Sequence, residues 1–367
     1  MHKSLLIIIL FFSFSYSVMA QNNTSANTSK EENTATETDK EKAERENFKK
    51  GLTTIFSHET LGETDAIGKI LATHYMVRVR MAASLALGRM GKGEKYLHKA
   101  IDNDGELVVQ TAYEALGMIG ARSSAPWFIR GVQGSDIRIR AASLRGLGKA
   151  RDHAGYDLAH ENLRKNDSEH ITAAAVEALG YYSKIKDLVL IQEYLSGKSV
   201  PLQKSAIQSL AVHSTPQAAW ILSDEYRTTN HKPAVLDAIA GKKTFLSEIL
   251  LLRALYSEQD TGMREYLQHI LLENKISGKF AFLQKETAVY GKAGGKSEKI
   301  LSLPPDTIVK ISRQSDLRYA VNANGQITEE YFYQVKIPAT DSDNPVGGWI
   351  FGTGLEFINI NPPAAAK

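Results

Sequence analysis

Val77-Arg78-Val79-Arg80-Met81-Ala82-Ala83-Ser84-Leu85-Ala86-Leu87-Gly88 is the stretch that decides the fold. Counted back from Gly88, apolar or small residues stand nine, five, two and one positions earlier. Those offsets fall on one face of a helix. The same arrangement returns along the chain, ending at Leu116-Gly117, Leu147-Gly148, Leu179-Gly180, Leu210-Ala211 and, degraded, Ile239-Ala240. The steps between landmarks are 29, 31, 32, 31 and 29 residues. A fixed period of this size predicts stacked helical pairs, hence a solenoid.

The alignment shows what each repeat is built from. The large anchors are Val79, Val108, Ile139, Ile171 and Leu202. The small positions are Ala83, Ala112, Ser143, Ala175 and Ala206, then Ala86, Ala115, Gly146, Ala178 and Ser209. Small side chains let a second helix approach closely. The landmark glycine follows the last periodic leucine and reads as a left-handed helix cap. Asp102, Asp104, Asp136 and Asp167 precede the patterned helices and read as N-terminal caps. The second helix of each pair is less regular, as in 125–132, 156–163, 188–195 and 216–226.

The chain has 367 residues, a hydrophobic fraction of 43% and a net charge of +3, which together predict two or more folded units. A nearly neutral balance gives no expectation of nucleic acid, which wants a clustered basic surface. The start is organised differently. Lys3 precedes an apolar run from Leu5 to Phe14, and Val18-Met19-Ala20 places small residues before Gln21. That is the layout of a secretory signal over residues 1–20, cleaved after Ala20. The run is shorter than the ~20 residues a membrane span needs, and no later segment is long and apolar enough, so no transmembrane segment is expected after signal removal. The expected location is therefore periplasmic or secreted. With no cysteine, neither disulfides nor a lipid-modified cysteine can form. Residues 21–46 lack large apolar side chains and read as a disordered polar tether. Its three sequons, at Asn22, Asn23 and Asn27, follow from the Asn, Ser and Thr content of the segment.

Residues 47–277 read as the helical array. Val77 to Ala83 ending in Leu87-Gly88, and Ile137-Arg138-Ile139-Arg140-Ala141-Ala142 ending in Leu147-Gly148, resemble HEAT repeats of the short phycobilisome-lyase-like type. The resemblance covers about residues 60–255 and fades after Ala211.

From residue 278 to 360 the period changes to two. Short β-branched or alternating runs at 280–290, 299–303, 307–311, 331–337 and 348–351 are separated by glycine and proline clusters. Five short strands suggest a small antiparallel barrel. Thr287-Ala288-Val289-Tyr290, Tyr333-Gln334-Val335 and Gly348-Trp349-Ile350 resemble a bacterial Src-homology-3-like domain, interrupted by a polar insertion from Ser312 to Glu330. Residues 361–367 are a tail. The expected fold class is thus an all-α solenoid followed by a small all-β Src-homology-3-like barrel.

Catalytic chemistry has little to stand on. There is no Gly-x-Ser-x-Gly elbow, no cysteine nucleophile and no phosphate loop. One HEAT-repeat enzyme class, deoxyhypusine hydroxylase, holds two irons with repeated His-Glu pairs. Only His58-Glu59 and His160-Glu161 exist here, and neither falls on a patterned helix. A bilin lyase is the second enzyme that the resemblance brings, and export without cysteine fits it poorly. No cofactor or metal is expected.

Binding is better supported. Positions ten, seven and three before the landmark lie away from the small-residue stripe: Arg78, Met81, Leu85; Leu107, Gln110, Glu114; Arg138, Ala141, Arg145; His170, Ala173, Glu177. If the patterned helices line the inner curve, this mixed surface suits an envelope protein or peptide. Arg78, Arg80, Arg138 and Arg140 read either as a basic stripe or as a ladder paired with the loop aspartates. In the barrel, Tyr331, Tyr333 and Phe351 are candidates for a cleft that takes a peptide or peptidoglycan, while Tyr290 and Trp349 are assigned to the core. The sequence reads as an exported, non-enzymatic adaptor, with cell-wall binding through the barrel as the alternative.

Overall fold

The structure, a computed structural model, describes residues 39–294, 297–323, 326–339 and 344–358. The expected signal peptide, residues 21–38 of the expected tether with its three sequons, and the 361–367 tail lie outside the described residues.

Among the described residues the first helix, α1 (Asp39–Leu61), takes in the last eight residues of the expected tether. Lys40, Glu41, Lys42, Ala43, Glu44, Arg45 and Glu46 lack large apolar side chains but are strong helix formers. Asp39 and Glu41 also place negative charge in the first turn, where the helix dipole favours it. Low hydrophobicity therefore did not prevent order there.

Fourteen further α-helices follow among the described residues. The patterned ones are α3 (Val77–Met90), α5 (Glu106–Ile119), α7 (Ile137–Ala150), α9 (Glu169–Tyr182), α11 (Val200–Val212) and α13 (Lys232–Gly241). Each is preceded by its less regular partner: α2 (Thr64–Thr73), α4 (Glu94–Asn103), α6 (Ala125–Gln133), α8 (His153–Lys165), α10 (Leu188–Leu195) and α12 (Pro216–Glu225). A last pair, α14 (Phe245–Ser257) and α15 (Thr261–Glu273), closes the series. Successive patterned helices pack extensively on one another, while successive partner helices barely touch. Closer spacing on one side bends the stack toward it, so the patterned helices form the inner layer.

The landmark glycines cause that closeness, and they do so from inside the helices. Gly88, Gly117, Gly148 and Gly180 each sit two residues before the helix ends, so they are not the caps. A Cβ on Gly88 would fall 2.9 Å from the Ala115 Cα, one on Gly117 2.9 Å from the Ala142 carbonyl oxygen, and one on Gly180 2.3 Å from the Ser209 carbonyl oxygen. The left-handed caps come three residues later. Gly91 (φ 67°) and Gly120 (φ 65°) take that role, with Arg151 and Ser183 at the matching places of later repeats. Of the four aspartates expected as N-caps, only Asp136 acts as one, accepting from the backbone N–H groups of Arg138 and Ile139. Helix α9 is capped instead by Ser168, and α5 starts at Gly105 without a side-chain cap.

After α15 the described residues form seven antiparallel strands rather than five. They are β1 (Lys279–Leu283), β2 (Thr287–Tyr290), β3 (Lys299–Leu303), β4 (Ile308–Ala323), β5 (Gln326–Ile337), β6 (Val346–Phe351) and β7 (Leu355–Ile358), in the order β3-β2-β6-β5-β4-β1-β7. The expected single run at 280–290 is broken between β1 and β2. The polar insertion is not a loop. It lengthens β4 and β5 into a paired ribbon running from Lys310↔Lys336 to Ala323↔Gln326, with register shifts near Ile311 and Gln314. One face of the sheet carries the aliphatic core of Ala281, Leu283, Val289, Val309, Val335 and Ile350. The helical and β regions meet where Tyr256 stacks on Phe282 at 4.2 Å and Lys310 pairs with Glu248 at 2.8 Å.

Candidate functional site

The inner layer divides the expected binding residues into two groups. Arg78, Leu107 and Arg138 are exposed, at the start of α3, α5 and α7. Met81, Gln110, Glu114, Arg145 and Glu177 are half-buried. Ala141 and Ala173 are buried, so they belong to the small-residue stripe and not to the face.

Three of the half-buried residues tie repeats together. Arg145 donates through Nε to Glu177, which also accepts from the Ser205 hydroxyl at 2.9 Å. One carboxylate thus joins α7, α9 and α11. Gln110 donates from Nε2 to Asp136 at 2.8 Å, linking α5 to the cap of α7. Glu114 accepts no such bond. Burial pushes its carboxyl above the usual range, against the pull of Arg138 and Arg145.

The arginine repeats split the same way. Arg80 bonds the His74 carbonyl and Asp104 at 2.9 Å. Arg140 reaches the Asn162 side-chain oxygen at 2.9 Å and Asp167 at 3.2 Å. These two form the internal ladder across neighbouring repeats, and they explain where Asp104 and Asp167 go instead of capping. Asp102 takes Arg130. Arg78 and Arg138, two residues earlier and exposed, have no carboxylate within salt-bridge distance among the described residues. Each Arg-x-Arg therefore contributes one structural and one available cation.

Beside the available arginines lie four exposed aliphatics, of which the sequence reading named only Leu107 as a binding residue. Val77 (39% exposed), Leu107 (48%), Ile137 (47%) and Val200 (48%) stand in the first turn of α3, α5, α7 and α11. The signal was present in Val-Arg-Val-Arg and Ile-Arg-Ile-Arg. The second aliphatic of each motif is the anchor turned toward the core, and the first is left on the surface.

The β-region aromatics do not form the single cleft expected of Tyr331, Tyr333 and Phe351. Tyr333 packs against the aliphatic core and lies edge-on to Phe357 at 5.7 Å. Phe351 lies on the opposite face, against the buried Phe332 at 5.3 Å, where Tyr290 and Tyr319 also meet Phe332. Tyr331 is covered by the Arg318 guanidinium at 5.2 Å. Tyr290 and Trp349, assigned to the core, are half-buried, and Tyr290 belongs to this second, aromatic face.

The His-Glu pairs are drawn apart. His58 meets Glu63 while Glu59 takes Arg89, and His160 meets Asp187 while Glu161 takes Lys165. Among the described residues no three His, Asp or Glu side chains converge to hold a metal ion. Among the same residues no helix is long and apolar enough to cross a membrane.

No family model and no curated protein matches this chain. Solved structures do. The complex of CpcE and CpcF of phycocyanin lyase from a Nostoc species is similar at 17% identity and a TM-score of 0.42, covering 58% of this chain and 88% of that one. Human deoxyhypusine hydroxylase in complex with glycerol is similar at 15% identity and a TM-score of 0.29, covering 61% and 89%. An engineered protein is similar at 17% identity and a TM-score of 0.35, covering 62% and 72%.

Proposed function

We propose that this protein is an exported, non-enzymatic adaptor that holds an envelope protein or peptide on the inner face of a HEAT-like solenoid. The observation that carries the reading is the exposed set Val77, Leu107, Ile137 and Val200, flanked by Arg78 and Arg138, which are unpaired among the described residues. Single exposed apolar residues are ordinary. These four stand in the first turns of α3, α5, α7 and α11, with Glu169 at the matching place of α9, so they gather at one end of the inner helices, which supports an interaction site. Its arginines would supply orientation and its aliphatics the desolvated contact. Export rests on Lys3, the Leu5–Phe14 run and Val18-Met19-Ala20. Intact mass of the exported protein should place Gln21 first, and a retained Leu5–Phe14 would make it membrane-anchored instead.

The β-region is read as a Src-homology-3-like domain, on its small, strongly paired antiparallel sheet and its Gly348-Trp349-Ile350 strand. The aromatic face around Phe332 supports a second reading, in which that domain binds peptidoglycan.

One comparison separates the two. Proteins crosslinked to the wild-type chain in its own envelope are compared with those crosslinked to a Leu107→Glu, Ile137→Glu double variant. Both positions are exposed, so the variant should keep its helical circular dichroism and lose the partner. Retention of the same partner by the variant, or capture of purified cell wall by the isolated β-region alone, would reverse the assignment.

A further inference from the structure

The outer layer holds a second site, independent of the inner face. Helix α8 and the turn-and-helix segment Ile185–Leu195 enclose a groove of about 380 Å³. Tyr156, His160, Leu163 and Arg164 face it from α8, and Lys186, Leu190 and Tyr194 from the other wall. The spacing of four, seven and eight residues along α8 puts its four on one side of the helix.

Behind this wall is a carboxylate that is out of place in a core. Asp187 is only 3% exposed. Its Oδ1 accepts from the Tyr156 hydroxyl at 3.0 Å and lies 3.2 Å from His160 Nε2 without a hydrogen bond between them, and its buried Oδ2 has no partner among the described residues. A buried charge needs compensation. Here the carboxylate holds the Tyr156 hydroxyl and lies against the His160 ring. Around the mouth stand three cations with no carboxylate partner among the described residues: Lys184, Lys186 and Arg164. The Lys184 ammonium sits 3.3 Å from the centre of the Tyr156 ring and that of Lys186 at 5.5 Å, while Arg164 Nε bonds only the His160 carbonyl. The one free acid on the lining is Asp157. Cations held over an aromatic ring rather than over carboxylates remain available to an incoming anion.

We propose that this groove binds an acidic peptide segment of a partner protein. From Tyr156 to Arg164 the helix runs about 12 Å, the length of roughly four extended residues. Carboxylate side chains would meet Lys184, Lys186, Arg164 and His160, and the apolar strip of Leu163, Leu190 and Tyr194 would take an intervening aliphatic or aromatic side chain. Asp187 acts as a positioning residue for Tyr156.

The test uses the full mature chain and a fluorescein-labelled Glu-Glu-Leu-Glu peptide, read by anisotropy, beside its Gln-Gln-Leu-Gln counterpart. The acidic peptide should bind, and the glutamine peptide should bind at least about tenfold more weakly. Lys184→Ala with Lys186→Ala, and separately Arg164→Ala, should each weaken the acidic peptide by a similar factor and leave the helical signal unchanged, since all three side chains are exposed. His160→Gln should weaken it less. Arg78→Ala with Arg138→Ala should leave it untouched, which keeps this proposal separable from the inner-face reading. Equal binding of the two peptides, indifference to the groove substitutions, or loss of binding on removing the inner-face arginines would overturn it. So would binding of phosphatidylglycerol vesicles, lost in the groove variants, when the peptide does not bind at all.

Discussion

Gly148 and Ala178 touch through their backbones: a Cβ on Gly148 would lie 2.6 Å from the Ala178 Cα. A gap that narrow admits no side chain, so the position is set by the spacing of α7 and α9. Gly148→Ala should therefore destabilise by about 1–3 kcal/mol, the range for over-packing. Gly241, at the end of α13 with nothing within 4 Å of an added Cβ, is the control. Gly241→Ala should be neutral or stabilise by about 0.4–1 kcal/mol, because only the unfolded chain feels it. Urea unfolding of both variants decides, and equal effects would show that the inner helices are not held at that distance.

Ala142→Leu and Ala175→Leu should be worse than their apolar chemistry suggests. Ala175 is fully buried, and the Ala142 carbonyl is the surface on which Gly117 rests. Extra methylenes there force neighbouring helices apart at about 1–3 kcal/mol, and the loss should spread because solenoid stability is nearest-neighbour coupled. Ala154→Leu, exposed in the first turn of α8, should leave the melting temperature unchanged. Indistinguishable melting of all three would place the stripe outside a helix interface.

Glu258 should give the solenoid a specific acid sensitivity. Its carboxyl is buried and held down to about 2, first by the Tyr226 hydroxyl and then by Lys232 at 2.9 Å, with the Asp260 and Gln259 backbone N–H groups adding to them. The folded value lies below the ordinary carboxylate value of about 4.3. The stabilisation is therefore complete above that value and is lost as pH falls toward about 2. Glu258→Gln should be less stable at neutral pH and show a flatter loss of stability in that acid window. Parallel urea-midpoint curves for the two proteins would contradict the assignment.

The helical and β regions should fold apart from one another. Their junction includes the Tyr256–Phe282 stack and the Lys310–Glu248 pair. Contacts of these kinds are worth about 0.5–1.5 and 0.2–1 kcal/mol, small beside the roughly 5–15 kcal/mol of a folded domain. A fragment ending at Lys275 should keep its helical signal, and one starting at Gly278 should give a β spectrum with a cooperative melt. A β fragment that is unfolded alone would show that it leans on α14.

The sequence by itself determined the repeat. Period, helical face, small-residue stripe and the change to strands after Gly278 are local regularities, and each is legible because side-chain spacing follows backbone geometry. It also named Arg78, Leu107 and Arg138 as surface residues. Tertiary structure decided what those regularities could not contain. The landmark glycines read as caps because a glycine after a leucine ends many helices. Only the neighbouring helix shows that they are points of contact two residues inside. Arg78 and Arg80 are chemically identical, and what separates them is that Asp104 lies within reach of one. The groove at Tyr156, His160 and Asp187 left no motif, since its two walls are about thirty residues apart and meet only when repeats stack. The polar ribbon of β4 and β5 looked like an insertion because its pairing runs between strands and not along either one.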